Sequence, residues 1–202
     1  MSNTVHLEES LYRSGYRFIA GIDEAGRGPL AGPVVAAAVI LPQTPKIEGV
    51  RDSKKLAQKE REFLFDRIKE CAISFGIGIV GHRKIDRVNI LQATTAAMTK
   101  AVRKLSIIPD YILVDGKDTI SLEIPQSAIV RGDTLHYSIS AASILAKVVR
   151  DEIMMKYHSI YPQYNFKKNK GYPTQEHIDA IRQYGPCSIH RRTFKKVKDF
   201  FE

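Results

Sequence analysis

The chain has 202 residues, 44% of them hydrophobic and 26% charged, which suits one domain with a real core and excludes a disordered or fibrous protein. No apolar run approaches the roughly eighteen residues of a membrane span, and the first residues lack a signal peptide's apolar stretch, so a cytoplasmic location is expected. The net charge of +9 favours a polyanionic partner, because neutralising phosphates releases counterions. Cys71 and Cys187 have no CxxC spacing, and the His residues have neither HExxH nor zinc-finger spacing, which reads as two reduced thiols and no structural zinc.

In chain order, Arg17–Asp23 reads as a strand, Ala25–Gly32 as a Gly- and Pro-rich turn, and Pro33–Leu41 as a buried strand of Val, Ala and Ile. A helix is expected after Leu56, with Leu64, Ile68, Cys71 and Ala72 on one face, then a strand over Ser74–Val80. Asp86 is placed to cap the next helix, whose inner face would carry Leu91, Thr95, Met98, Val102 and Leu105. Tyr111–Val114 and Ala128–Val130 read as short strands. Ile139–Tyr157 reads as a long helix, rich at first in small residues, and a last helix begins near Thr174. Strands alternating with helices predict an α/β domain with a mixed sheet over 1–160. Residues 161–202 turn basic and would form a small helical appendage. Its cations, among them Lys167, Lys168, Lys170, Arg182, Arg191, Arg192, Lys195, Lys196 and Lys198, interleave with Tyr164, Phe166, Tyr172 and Phe194. That mixture fits either a surface that grips nucleic acid or a solvated tail.

The chemistry is carried by acids. Asp23 and Glu24 close a strand before a glycine-rich turn, a costly place for two adjacent carboxylates unless a cation or protons intervene. Asp115 follows Ile112-Leu113-Val114 and precedes Gly116, and Asp133 follows Ile129-Val130 beside Gly132. Acid-glycine pairs after strands are also ordinary turns, so Asp115 and Asp133 taken singly fit either reading. If the strand ends lie side by side, four carboxylates converge, and an all-oxygen cluster suits magnesium or manganese. Residue patterns alone thus reach an α/β protein with possible metal-dependent phosphoryl-transfer chemistry.

Gly21-Ile22-Asp23-Glu24-Ala25-Gly26-Arg27-Gly28-Pro29-Leu30-Ala31-Gly32-Pro33-Val34 resembles the signature of the type 2 ribonucleases H, specifically bacterial ribonuclease HII. Further blocks match in order: Asp52-Ser53-Lys54-Lys55-Leu56, Asn89-Ile90-Leu91, Leu113-Val114-Asp115-Gly116, Arg131-Gly132-Asp133, Ser140 to Val148, Lys170-Gly171-Tyr172-Pro173-Thr174 and His190-Arg191-Arg192. Arg131 stands where the family commonly has lysine. The resemblance implies a ribonuclease H-like fold with a mixed central sheet flanked by helices. It also implies an endonuclease that cuts the RNA strand of RNA–DNA hybrids and cuts 5′ of ribonucleotides embedded in DNA, leaving a 3′-hydroxyl and a 5′-phosphate. The cofactor would be two Mn2+ or Mg2+ ions on Asp23, Glu24, Asp115 and Asp133, with Glu24 bending away from the strand to join the others.

The resemblance further implies that Gly26, Arg27 and Gly28 read the ribose, the glycines letting backbone approach a sugar. Tyr172 would pack on the deoxyribose just 3′ of the ribonucleotide. Lys54, Lys55, Lys147 and Arg191 would contact substrate, and Arg150 would face the nucleic-acid backbone. Asp151 reads as a helix-surface partner for a cation. The chain would act as a monomer, with no membrane partner. Two rivals are a ribonuclease HIII, which usually carries an extra N-terminal domain where only about twenty residues precede Asp23 here, and a nucleic-acid-binding module that has lost catalysis.

Overall fold

The computed structural model describes residues 7–44, 46–51 and 53–201, the Lys55 side chain excepted. Five strands form one mixed sheet: β1 (Ile19–Ala25), β2 (Val34–Ile40), β3 (Ser74–Val80), β4 (Tyr111–Asp115) and β5 (Gln126–Ile129), in the order β3-β2-β1-β4-β5. The first three are antiparallel, while β4 lies parallel to β1 and β5 parallel to β4. The apolar sequence of β2 is explained by its burial on both faces.

The helices are α1 (Leu7–Arg13), α2 (Gln58–Cys71), α3 (His82–Val102), α4 (Gly132–Leu135), α5 (Tyr137–Ile160), α6 (Phe166–Asn169) and α7 (Gln175–Tyr184). On one face of the sheet, Ala93, Ala97, Met98 and Ala101 of α3 pack on Ala20, Ile22, Ala36, Ala38, Ile112 and Val114. On the other, Leu64 and Ile68 of α2 and Ala141, Ile144, Leu145 and Val148 of α5 cover Ala37 and Val39. Among the described residues no helix is long and apolar enough to cross a membrane.

Two sequence expectations change. Asp86 does not cap its helix: α3 begins at His82 after Gly81, and the Asp86 carboxylate accepts instead from the Arg192 and Thr193 amides, each at 3.1 Å. The helix is also kinked at Asn89, which leaves helical geometry at φ 65°, and its Oδ1 accepts from the Gln92 amide at 3.1 Å to restart the helix. The buried face then runs through Ala93, Ala97 and Ala101, while Leu91 is exposed. The second change concerns the appendage aromatics. Tyr164 and Phe166 are buried, stacking with ring centroids 5.5 Å apart in a core shared with Leu30, Met154 and Ile181. They hold residues 162–197 against the rest of the chain rather than face a ligand.

The first residues, for which the sequence offered no reading, have a local task. Glu8 of α1 accepts from the Ser138 amide at 3.0 Å and from the Tyr137 amide at 3.3 Å, so it caps α5 from a different part of the chain. The first turn of α5 in turn lies directly on β1 at Gly21. A Cβ there would fall 2.2 Å from the Ser138 carbonyl carbon, so only glycine permits this approach. Gly21→Ala should therefore cost about 2–3 kcal/mol, read as a lower urea midpoint at unchanged slope. An unchanged midpoint would show that α5 can move off the strand freely.

Candidate active site

Parallel pairing sets the site. Ile22 pairs with Val114 and Asp115 with Ile129, so Asp23 and Asp115 stand at the same end of adjacent strands, one residue beyond the last β1–β4 pair. Asp133 does not close a third strand, as the sequence pattern suggested; it lies in the first turn of α4. The chain reaches it through Arg131, which takes a left-handed conformation at φ 60° and aims the Gly132 amide at Asp115 Oδ1, 2.6 Å away. Three of the four acids expected to meet do so: one oxygen from each of Asp23, Asp115 and Asp133 lies within 4.8 Å of the others.

Glu24 stands beside this cluster rather than in it. β1 continues through Ala25, so Glu24 does not leave the strand to join its neighbour. Its Oε1 accepts from Arg27 Nη1 at 3.3 Å, while its Oε2 is buried without a hydrogen-bond partner. The Asp23 Oδ1 accepts from the Glu24 amide at 2.7 Å, and Asp133 Oδ2 from Lys54 Nζ at 2.8 Å. Lys54 comes from a 3-10 turn, Ser53–Lys55, tied to α5 by the Ser53–Ser143 hydroxyl pair at 2.8 Å. Asp52 and the Lys55 side chain lie outside the described residues.

Like charges in a buried place resist ionisation. Burial, then Glu24 and Asp115, push the Asp23 carboxyl well above the usual range. Burial and, next among the raising causes, Asp133 push Asp115 up, and Glu24 is raised by burial against the opposing pull of Arg27. An all-carboxylate cluster with an orphaned buried oxygen beside it fits a hard divalent cation such as Mg2+ or Mn2+.

Next to the cluster lies the turn that follows β1. Gly26 has φ 99°, and a Cβ there would sit 2.0 Å from Arg150 Nε, so this position must be glycine. Arg27 and Gly28 are exposed. Nothing in the folded chain excludes a side chain at Gly28, whose Cβ position is an ordinary 3.7 Å from Tyr172 Cε1; glycine there leaves open space in front of the ring. Tyr172 itself is 41% exposed, as a contact residue requires. Its carbonyl accepts from His177 Nδ1 at 2.9 Å, and His177 Nε2 lies 3.0 Å from His190 Nε2. His190 Nδ1 accepts from the Cys187 amide at 2.9 Å, so His190 donates through Nε2 and both rings are neutral. Burial, with His177 beside it, depresses His190 to about 3.

Three expected substrate contacts are not supported by the geometry. Arg191 is buried, and its guanidinium donates to four backbone carbonyls. Arg150 is buried likewise, donating to the carbonyls of Pro33, Lys170 and Ala31. Lys147 is half-buried and pairs with Asp151 at 2.6 Å, the helix-surface pairing expected for that acid. The His177–His190 pair and the carbonyl-binding arginines were not found by sequence reasoning. Their partners are up to 165 residues away, and no local pattern encodes them.

The sequence profile of the family Ribonuclease HII matches residues 20–197. The chain belongs to the ribonuclease HII family. Ribonuclease HII of Syntrophus aciditrophicus is 58% identical over 190 residues, covering 94% of this chain and 90% of that protein. Ribonuclease HII of Geobacter metallireducens is 54% identical over 192 residues, covering 95% and 90%. The crystal structure of ribonuclease H2 from Pyrococcus horikoshii OT3 superposes with a TM-score of 0.75 at 30% identity, over 90% of this chain and 96% of that one. Bst-RNase HIII in complex with Mn2+ shares the fold, with a TM-score of 0.68 at 20% identity over 95% of this chain and 71% of that one. The sheet order and flanking helices are therefore the ribonuclease H-like fold, and the chain is a ribonuclease H, a metal-dependent endonuclease acting on nucleic acid.

The crowded acids of this ribonuclease HII have a measurable consequence. Acids whose folded pKa is raised bind protons that the unfolded chain has released. Their contribution to the stability of the metal-free fold is thus full below the ordinary carboxylate pKa of about 4 and is lost as pH rises through the raised values. Asp23→Asn keeps an oxygen for the Glu24 amide and removes one charge. At pH 7 without metal it should raise stability by about 1 kcal/mol or more and shift the melting temperature upward. It should also abolish the stabilisation that Mn2+ gives the wild type. A drop in melting temperature would show Asp23 to be a structural acid.

Proposed function

We propose that this ribonuclease HII cuts the RNA strand of RNA–DNA hybrids and also cuts on the 5′ side of single ribonucleotides embedded in DNA, leaving a 3′-hydroxyl and a 5′-phosphate. The observation that carries the reading is an adjacency: Asp23 of the acidic cluster stands on the strand that runs into the exposed Arg27-Gly28 turn, and the Tyr172 ring lies against that turn at Gly28. Selection of a 2′-hydroxyl would then place the neighbouring phosphate at the acids.

Asp23 and Asp115 are the central metal ligands in this reading, Asp133 serves the second ion, and Glu24 completes the set through its orphaned Oε2. When bound, two Mg2+ or Mn2+ ions supply an activated water and neutralise charge on the leaving oxygen. Lys54 holds the Asp133 carboxylate in place, and with Lys55 it also brings positive charge to the phosphate path. Arg27 is half-exposed at its side chain and brings a cation to the neighbouring phosphate while restraining Glu24. The backbone of Gly26–Gly28 tests the 2′-hydroxyl, a group that both donates and accepts. Tyr172 packs against the sugar 3′ of the ribonucleotide, where a flat ring favours a deoxyribose. Residues 161–202 act as the substrate-binding appendage that carries this ring. Lys147 and Arg191 are left out of the substrate contacts, the first because it is paired and the second because it is buried. The enzyme acts as a monomer in the cytoplasm.

A substrate panel tests the reading. A long RNA–DNA hybrid and a DNA duplex with one ribonucleotide should both be cut with Mn2+ or Mg2+, and end mapping should place the second cut 5′ of the ribonucleotide. An all-DNA duplex should bind and resist cutting. Binding of all three with no cleavage under either ion would instead mean a binding module. Tyr172→Ala should lower kcat/KM on the single-ribonucleotide duplex about tenfold, the worth of one lost ring contact, with a smaller loss on the long hybrid. An equal loss on both would remove Tyr172 from junction recognition.

A further inference from the structure

The turn that reads the ribose is held almost entirely by its carbonyls. Arg191 Nη2 donates to the Gly26 carbonyl at 2.6 Å and the Pro33 carbonyl at 3.2 Å, Nη1 donates to the Arg27 carbonyl at 2.9 Å, and Nε donates to the Gly32 carbonyl at 3.0 Å. The Arg191 amide donates to Leu30 at 2.8 Å, and the Gly32 amide donates back to Ile189 at 3.0 Å, so residues 189–191 lie along 30–32 like a short strand. Arg150 takes the Ala31 carbonyl and shares that of Pro33. Both arginines are buried, and among the described residues neither forms an ion pair with a carboxylate.

This arrangement has a stereochemical consequence. In a planar trans peptide the C=O and the following N–H point in opposite directions. With the Gly26 and Arg27 carbonyls drawn inward by one guanidinium, the Arg27 and Gly28 amides must point outward, and no group of the described chain accepts from either. Two consecutive outward amides form a small donor cradle, of the kind that binds anions and hydroxyl oxygens. The two arginines behind it are bonded mainly to neutral carbonyls and form no close ion pair among the described residues, which favours a substrate phosphate or oxygen in front.

We infer that Arg191 is a positioning residue for the ribose-reading turn: by gathering the carbonyls of Gly26, Arg27, Gly32 and Pro33, it presents the Arg27 and Gly28 amides to the substrate without touching it. This rests on the reaction proposed above, and it replaces a direct substrate contact by Arg191 with an indirect one. The role demands arginine. A planar fork with fixed donors spans four carbonyls, whereas a lysine ammonium is a point charge that cannot reach all of them at once.

The test uses the full chain and Arg191→Lys, with the wild type as reference. The variant should still melt cooperatively. Its kcat/KM on a DNA duplex with one ribonucleotide should fall about 100-fold, mainly in kcat, as expected for a misplaced turn. In Ca2+ without cleavage, the wild-type preference for that duplex over all-DNA should vanish, while the Kd for all-DNA stays within about twofold. A merely structural role would lower the melting temperature and weaken both duplexes equally, and that result would overturn the inference. A second measurement needs no variant: in the wild type, the amide NMR signals of Arg27 and Gly28 should shift on binding the ribonucleotide duplex and shift less with all-DNA. Unmoved amides would overturn the inference even if Arg191→Lys failed to fold. A wild type that binds but does not cut would reject the proposed reaction, with the amide shifts still deciding how the turn is held.

Discussion

Carboxylates pressed together at the ends of neighbouring strands repel one another, and much of the surrounding structure serves to keep them there. Parallel pairing of β1 with β4 places Asp23 beside Asp115, and the left-handed Arg131 brings Asp133 round to meet them. Each acid is restrained by a specific donor: the Glu24 amide on Asp23, the Gly132 amide on Asp115, Lys54 on Asp133 and Arg27 on Glu24. These contacts lessen the repulsion without removing it, since burial still raises the carboxyls of Asp23, Glu24 and Asp115. The fold accepts that cost at one place, as functional sites commonly do, and a bound divalent cation would relieve it.

The sheet can hold such a cluster because the rest of the packing is close. Small residues let two helices lie close to the sheet: Gly21 under the first turn of α5, and Ala93, Ala97 and Ala101 of α3 on the opposite face. Glu8 then occupies the N-terminus of α5. This fixes the helix whose Ser140 hydroxyl accepts no compromise in position, for it donates to the Asp133 carbonyl at 2.7 Å. A displacement of α5 would therefore reach the acids directly. The appendage is bound in by a different principle. Among the described residues the two buried guanidiniums form no close ion pair and are satisfied by the backbone carbonyls of Gly26, Arg27, Ala31, Gly32, Pro33 and Lys170. Neutral partners leave the positive charge in place, which suits an enzyme acting on a polyanion.

Much of the fold was legible in local pattern. The apolar run of Pro33–Leu41, the strand over Ser74–Val80, the small-residue helix over Ile139–Tyr157 and the helix beginning near Thr174 all became the elements expected. Errors arose where a short polar residue had two uses. Asp86 has the chemistry of a helix cap, but its carboxylate caps nothing in its own helix and receives amides from Arg192 and Thr193. Tyr164 and Phe166 sit among lysines in sequence yet face inward, because a small appendage needs a core before it can offer a surface.

The acids themselves were visible as residues ill-suited to strand ends, and Asp23, Asp115 and Asp133 do converge; the sequence by itself determined that Asp23 and Glu24 would lie next to a glycine-rich turn, because they are its neighbours in the chain, whereas the convergence with Asp115 and Asp133 depended on how the strands pair. Only the tertiary structure decided what holds that turn. Arg191 looks in sequence like one more cation of a basic tail, and the family resemblance added only the expectation of a substrate contact. Whether a guanidinium meets solvent, phosphate or carbonyl depends on which backbone groups the fold leaves without partners, and those of Gly26 and Arg27 lie some 165 residues from it. Burial of polar groups is a property of the whole packed chain, so no local pattern can announce it.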